Sequence, residues 1–300
     1  MPTQVDVCVA TFKRPLLLSK LLESLSLQEL PTGIAMRIIV VDNDKNGSAR
    51  PIVEQFSAGS DVLVVYDIEP VQNIARTRNR AVALAVGDYV AFIDDDETAE
   101  ANWLDRILAT ADAFNADVVF GPVKPVLPDN TQDWIRKGHF FDRERIPTGT
   151  PRPHGGTGNT LVKTEVLRRS NMILDPAFGL TGGADTELFT RLQKQGAKLV
   201  WCDEAICYEQ VPQNRMTVGW LVRRSFRGGQ TVSRIFFREM TVAEKLIWAS
   251  KRMVGLGYFL LLPWAWIFGK HHWVHVAMKA SSNLGQLTGL TRFHFREYSA

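Results

Sequence analysis

Four short apolar runs, at residues 5–10, 37–41, 62–66 and 89–93, alternate with amphipathic stretches at 19–27, 48–56 and 73–86. Near-continuous Val and Ile runs suit strands buried on both faces. Such strands interleaved with helices specify a mostly parallel, Rossmann-like α/β sheet flanked by helices. Polar residues follow these runs at once: Thr11 after the first, Asp42, Asn43 and Asp44 after the second, and Asp94, Asp95 and Asp96 after the fourth. Ligands of open α/β sheets sit beyond the carboxyl ends of the strands, so these groups are expected around one crevice.

With 45% hydrophobic residues over 300 positions, the chain can bury one large α/β domain with appendages, or two small domains. A net charge of +3 is too mild and too evenly spread through the first two thirds to point to nucleic acid. Cys8, Cys202 and Cys207 offer no four-ligand zinc spacing and read as reduced thiols. The start of the chain lacks the basic, apolar and small-residue succession of a signal peptide, since Asp6 interrupts its first apolar run, and secretion is not expected. Residues 121–158 are rich in Pro and Gly, with Trp134, His139, Phe140 and Phe141 interspersed, and are expected to form a long, partly mobile segment beside the cleft. A strand at 159–162, a helical turn at 165–169, a helix at 185–195 stopped by Gly196 and a strand at 198–202 follow. The expected division is a nucleotide-binding half at 1–125, an acceptor-binding half of the same domain at 126–215, and basic, amphipathic helices at 216–300.

Like charges crowded at the exit of a buried strand are unfavourable unless a cation or hydrogen-bond donors neutralise them. Strand alternation would turn Asp94 and Asp96 to one side and Asp95 to the other. Hard oxygen ligands of this kind suit Mg2+ or Mn2+, commonly shared with substrate phosphates. The alternative is a solvated acidic turn with Glu97 capping a helix. The buried run before the cluster, and Asp42 and Asp44 at a second strand end, favour the metal.

Four motifs make the pattern specific: Val9-Ala10-Thr11-Phe12-Lys13-Arg14-Pro15, Val41-Asp42-Asn43-Asp44, Asn73-Ile74-Ala75-Arg76-Thr77-Arg78-Asn79 and Phe92-Ile93-Asp94-Asp95-Asp96-Glu97. In order and spacing they resemble the signature of family 2 glycosyltransferases with the GT-A fold. Gly155-Gly156-Thr157-Gly158-Asn159 and Gly182-Gly183-Ala184-Asp185-Thr186-Glu187-Leu188 resemble that family's acceptor-side motifs. The likeness runs over about residues 5–230 and is nearest to bacterial exopolysaccharide glucosyltransferases of the succinoglycan type. It implies an inverting, metal-dependent hexosyltransferase that uses a UDP-sugar and extends a polyprenyl-diphosphate-linked saccharide. By the same resemblance Thr11 and Arg14 line the nucleotide pocket, together with Asp95. Asp42 accepts from uracil N3, Arg78 approaches the diphosphate or the acidic motif, Asp94 touches the ribose and Asp96 holds the metal. Asn159 belongs to the acceptor-side set.

Single displacement at an anomeric carbon needs a carboxylate that can take the acceptor hydroxyl's proton. Asp185 is the candidate base: it follows Gly182 and Gly183, which let backbone approach a ligand, and it opens a helix whose N-terminal donors favour the ionised form. Capping that helix is an ordinary job for Asp and is compatible with the same role. Glu187, near it in the sequence, can reach sugar hydroxyls or remain a solvated helix residue. Two departures from the family pattern stand out: Ala184 occupies a position where Glu is frequent, and Glu209-Gln210-Val211-Pro212 stands where many relatives carry His.

Arg223, Arg224 and Arg227 precede or abut Gly228 and Gly229 and can clamp phosphate; a solvated basic face is the alternative. Residues 253–268 are almost wholly apolar, with Trp248, Trp264, Trp266 and Trp273 and the basic Lys251, Arg252, Lys270 and His271 around them. Pro263 and a run shorter than the ~20 residues of a spanning helix favour lying at a membrane surface over crossing it. The expected location is peripheral, at the cytoplasmic face of the bacterial inner membrane. Two other classes remain in view. A nucleotidyltransferase would carry a Gly-rich phosphate loop after the first strand, and Thr11 to Pro15 has no glycine. A noncatalytic sugar-nucleotide-binding scaffold is favoured only by Ala184.

Overall fold

A computed structural model describes residues 2–169, 173–237 and 240–289. The chain forms two compact units: Met1–Pro125, Arg143–Leu180 and Ala184–Glu209 make the first, and Val126–Asp142, Thr181–Gly183 and Gln210 onward make the second.

The first unit opens with β1 (Thr3–Thr11), α1 (Pro15–Ser26), β2 (Ile34–Asp42), α2 (Arg50–Ala58), β3 (Leu63–Ile68), α3 (Ile74–Leu84) and β4 (Tyr89–Asp94). Pro15, whose missing N–H would have no helical partner, starts α1, and Leu18, Leu21, Leu22 and Leu25 form its fully buried stripe. Asn73 caps α3 by accepting from the Arg76 N–H. Next come β5 (Glu97–Ala99), α4 (Trp103–Ala113), β6 (Val118–Phe120) and β7 (Val123–Val126). After α5 (Asp133–Gly138), which lies in the second unit, β8 (Thr160–Lys163), α6 (Thr164–Arg168), α7 (Ala184–Lys194), β9 (Leu199–Trp201) and β10 (Cys207–Gln210) follow.

Seven strands form one sheet in the order β3-β2-β1-β4-β8-β6-β9, and β5-β10-β7 form a second. Strands β3, β2, β1 and β4 are parallel, while β8 runs antiparallel to both its neighbours. The chain winds from β1 to β2 and β3 and returns to lay β4 on the other side of β1. Ligands of such sheets bind where the winding reverses, and the carboxyl ends of β1 and β4 flank that point, with Ala10 opposite Asp94.

The expected α/β class and mostly parallel sheet agree with this architecture. Residues 121–158, expected as one long, partly mobile segment, contain β7 and α5. Proline is tolerated at Pro125 because β7 is an edge strand.

The second unit comprises α5, α8 (Val218–Phe236), α9 (Val242–Gly255), α10 (Tyr258–Ala265) and α11 (Lys270–Thr288). The apolar run 253–268 is not one helix: it crosses the end of α9, all of α10 with Pro263 inside, and a 3-10 turn at Trp266–Phe268. Among the described residues no helix is long and apolar enough to cross a membrane.

Asp6, an interruption when read along the sequence, is a tie between strands. It is fully buried on β1 and faces Arg37, its register partner on β2, whose Nε and Nη2 donate to the two carboxylate oxygens at 2.8 and 2.9 Å. The backbone N–H groups of Val86 and Gly87 donate to it as well. Burial alone would raise this carboxyl, but Arg37 and the two amides outweigh it and hold it below its ordinary 3.8. Its contribution to stability is therefore present above that value and is lost as pH falls through the lower folded value. Asp6→Asn should cost about 3–5 kcal/mol in urea unfolding, the scale for a buried ion pair that loses one partner. The deficit should shrink towards the acid limit.

Candidate active site

At the carboxyl end of β4 the structure gathers six residues that the sequence singles out. Thr11, the last residue of β1, donates its hydroxyl to Asp95 Oδ2 at 2.8 Å. Arg14, in the turn before α1, bridges Asp95 Oδ1 and Asp96 Oδ2 at 3.1 Å each. Arg78, projecting from α3, donates to Asp94 Oδ1 at 2.5 Å. Strand β4 ends at Asp94, so alternation does not extend through the motif: Asp95 and Asp96 form a turn and share Arg14, while Asp94 turns to Arg78.

Charge is not balanced here. Burial raises the Asp95 carboxyl, against which Arg14 and the Thr11 hydroxyl act. Asp96 is pushed up to about 6 by burial and by the like charges of Asp94, Glu209 and Asp95, with Arg14 opposing. Glu97, fully buried and accepting from the Asp94 N–H, is raised well above the ordinary carboxylate range by burial and by Asp94. Arg143 pairs with Glu209 at 2.7 Å. Glu209, noted in the sequence only as standing where relatives carry His, thus belongs electrostatically to the acidic cluster.

A glycine loop joins this cluster to Asp185. A methyl group on Gly158 would lie 3.2 Å from Asp94 Oδ2 and 2.5 Å from Glu97 Oε1. One on Gly156 would lie 3.4 Å from Asp185 Oδ2. Asp185 is half-buried inside the first turn of α7, where Oδ1 accepts from the Thr186 N–H at 2.8 Å.

Other predicted residues take different surroundings. Asp42 is fully buried and accepts from the Asp44 and Ala49 N–H groups and the Tyr66 hydroxyl, which shapes the turn after β2. Asn159 is also fully buried. In the left-handed region at φ 52°, it accepts from Trp103 Nε1 at 2.7 Å and donates to the Pro122 and Ala205 carbonyls, so its carboxamide anchors the glycine loop from below. Glu187 pairs with Arg191, which also donates to the Ile173 carbonyl. Arg223, Arg224 and Arg227 lie on α8 in the second unit. Arg223 is exposed, Arg224 stacks over Trp220 at 5.1 Å, and Arg227 packs on the backbone of Gly182.

Sequence reasoning did not single out the asparagines of the third motif. Asn73 Nδ2 donates to the Pro176 carbonyl, and Asn79 exchanges two hydrogen bonds with the backbone of Leu174. Helix α3 thereby holds the segment that leads towards Asp185. The signal available was two Asn on one helix beside Arg78, a residue type that commonly ties loops.

The model of the family described as glycosyl transferase family 2 matches residues 6–170. The chain belongs to that family. It is 34% identical over 231 residues to the succinoglycan biosynthesis protein ExoM of Rhizobium meliloti, covering 77% of this chain and 74% of that one. It is 24% identical to the glycosyltransferase AglE of Haloferax volcanii, over 75% and 72% of the two chains. Among solved structures, the mannosyltransferase PcManGT from Pyrobaculum calidifontis, in complex with GDP-Man and Mn2+, superposes with a TM-score of 0.70 at 17% identity over 97% of this chain and 88% of that one. S. aureus TarS 1–349 in complex with UDP gives 0.55 at 15% identity over 95% and 90%. These likenesses establish the GT-A fold of this family member. Family membership also removes the nucleotidyltransferase alternative.

The donor set fits a hard divalent cation in one particular way. Among the described residues no three His, Cys, Asp or Glu side chains are grouped closely enough to hold a metal by themselves. Yet five carboxyls, those of Asp94, Asp95, Asp96, Glu97 and Glu209, face three guanidiniums, those of Arg14, Arg78 and Arg143. A cation that takes one or two carboxylates and completes its shell with phosphate and water oxygens matches that surplus.

Gly158→Ala should expose how tightly this loop is gauged. Its methyl can be accommodated only if the buried Glu97 carboxyl retreats and releases the Asp94 N–H. Turnover is expected to fall at least about tenfold, equivalent to 1.4 kcal/mol in the barrier. Gly219→Ala on α8, whose methyl would meet nothing within 4 Å, should leave turnover and melting temperature near wild type.

Proposed function

We propose that the protein is an inverting hexosyltransferase. It moves a hexose, with glucose as the first candidate, from a UDP-sugar to a lipid-linked or growing saccharide in exopolysaccharide or other cell-surface polysaccharide biosynthesis. The observation that carries the chemistry is the three-residue span from Gly156 to Gly158, which sets Asp185 at one end and Asp94 at the other. Inverting displacement needs this division, with a proton acceptor on one side of the sugar and neutralisation of the leaving diphosphate on the other. The likeness to ExoM supports the polysaccharide setting.

In this reading Asp185 takes the proton of the acceptor hydroxyl from its place in the first turn of α7. Arg14 and Arg78 are already aligned on the acidic motif and meet the diphosphate when it arrives. Thr11 and Asp95 fix Arg14 in the nucleotide pocket, and Asp94 meets the ribose. Asp42 supports the base pocket by tying the turn after β2. Asp96, with Asp94 beside it, would hold Mg2+ or Mn2+, which when bound offsets the charge growing on the leaving nucleoside diphosphate.

The second unit is read as the membrane-facing part, peripheral at the cytoplasmic face of the inner membrane. Support comes from Leu260, Trp264, Ile267 and Phe268, 67–78% exposed beside basic residues. Phosphate of the lipid-linked acceptor is the partner assigned to Arg223, Arg224 and Arg227. Asn159 acts on the acceptor side through the loop it anchors, and Glu187 through its pair with Arg191.

Two variants test the assignment. Asp185→Asn should lower acceptor-dependent product formation from UDP-glucose by ~10²–10⁴-fold, while UDP affinity and melting temperature barely move. Near-normal turnover would remove Asp185 as the base. Asp96→Ala should weaken UDP binding in calorimetry and abolish its dependence on Mn2+, because the remaining carboxylates then repel the diphosphate at close range.

A further inference from the structure

The second unit contains a cleft of about 410 Å³ between α10 and α11, a volume within the range of small-molecule sites. Tyr258, Leu261, Trp264 and Phe268 form its walls, and its polar groups include His272 and Lys279. Lys279 Nζ lies 5.5 Å from the centre of the Tyr258 ring, so the ammonium stands against an aromatic wall. Leu261, Trp264 and Phe268 remain 49%, 67% and 71% exposed, and hydrophobic surface continues from them along the helix to Leu260. Wide exposed apolar surface of this kind marks an interaction site.

Charge decides what the site takes. The sequence has no Asp or Glu between Glu244 and Glu297, whereas Lys245, Lys251, Arg252, Lys270, Lys279, Arg292 and Arg296 fall in that stretch with four histidines. An occupant must therefore combine hydrocarbon with negative charge. Protein partners of matching charge present carboxylates on an ordered surface, whereas an apolar cleft with a cation at its wall suits a chain-like tail ending in an anion. His275 adds rigidity: its Nε2 lies 2.8 Å from the Gly138 carbonyl and its ring stacks on Phe140 at 4.6 Å, which fixes α11 against α5.

We infer that the α10–α11 cleft binds one hydrocarbon tail of an anionic bilayer phospholipid, with Lys279 and His272 meeting its phosphate. This site is separate from the sugar chemistry and makes a stronger claim than surface attachment, since it requires a saturable pocket for a single lipid.

Decyl phosphate, kept below its micellar concentration, is the probe, titrated by calorimetry into the full-length protein. Saturable one-to-one binding is expected, weakened at least about tenfold by Leu261→Trp, which fills the slot from a half-exposed position, and by Lys279→Glu, which reverses the charge. Decanol, with the same tail and no charge, should bind at least about tenfold more weakly than decyl phosphate. Absence of saturation, equal binding by Leu261→Trp with an unchanged melting temperature, or equal affinity for decanol would each overturn the inference. So would a dimer in ultracentrifugation that Leu261→Trp dissociates, because a second copy would then own the cleft. Flotation with vesicles of phosphatidylglycerol separates this idea from the membrane reading. Wild type that binds decyl phosphate but stays off vesicles overturns the bilayer phospholipid as occupant together with the membrane location. Wild type that floats but binds no decyl phosphate overturns the cleft site and keeps the membrane location.

Discussion

Carboxylates crowded at the end of a buried strand are the constraint around which the first unit is organised. Asp94, Asp95 and Asp96 cannot all be charged in that position without compensation, and the fold draws compensation from two directions. Arg14 arrives from the turn after β1 and Arg78 from α3, so the winding that returns the chain to β4 also delivers the guanidiniums. The compensation is incomplete. Asp96 stays raised by burial and by its acidic neighbours despite Arg14.

Rigidity at this spot comes from groups with no chemistry of their own. Trp103 on α4 is fully buried and donates to Asn159, whose carboxamide also holds the carbonyls at Pro122 and Ala205. Four segments far apart in sequence meet on one side chain. A left-handed backbone is tolerated at Asn159 because Asn enters that region more readily than most residues. The glycines before it can then run close beneath both carboxylate sites.

Legibility in the sequence followed the range of the interactions. Strands β1, β2 and β4 and helix α3 announce themselves locally through apolar runs and the stretch between them, and the acids at strand ends follow from the topology of open sheets. Thr11 and the three aspartates are therefore legible as one group, while Arg14 and Arg78 join it only through the family resemblance. Asn159 sits in a motif that resembles an acceptor contact, yet its side chain lies in the core, because a motif reports position and not the direction a side chain takes. The Asp6–Arg37 tie spans 31 residues and needs the strand register to be known before it can be seen. The short strands β5, β7 and β10 of the second sheet carry three or four residues each, too few for a period to emerge.

Ala184 shows how a departure from a family pattern can be weighed physically. It is 4% exposed at the start of α7, so a carboxylate there would be buried next to Asp185 and would disfavour its charged form. With alanine in place, Asp185 has the helix terminus and the Thr186 N–H and no adjoining like charge. For the proposed role of Asp185 as base, the missing acid is one fewer competitor for the same donors, and the proposed acceptor has one fewer carboxylate to meet its hydroxyls. The noncatalytic scaffold, whose single support was this alanine, gains little from it, because alanine leaves the proposed base Asp185 with no buried carboxylate immediately before it in the chain.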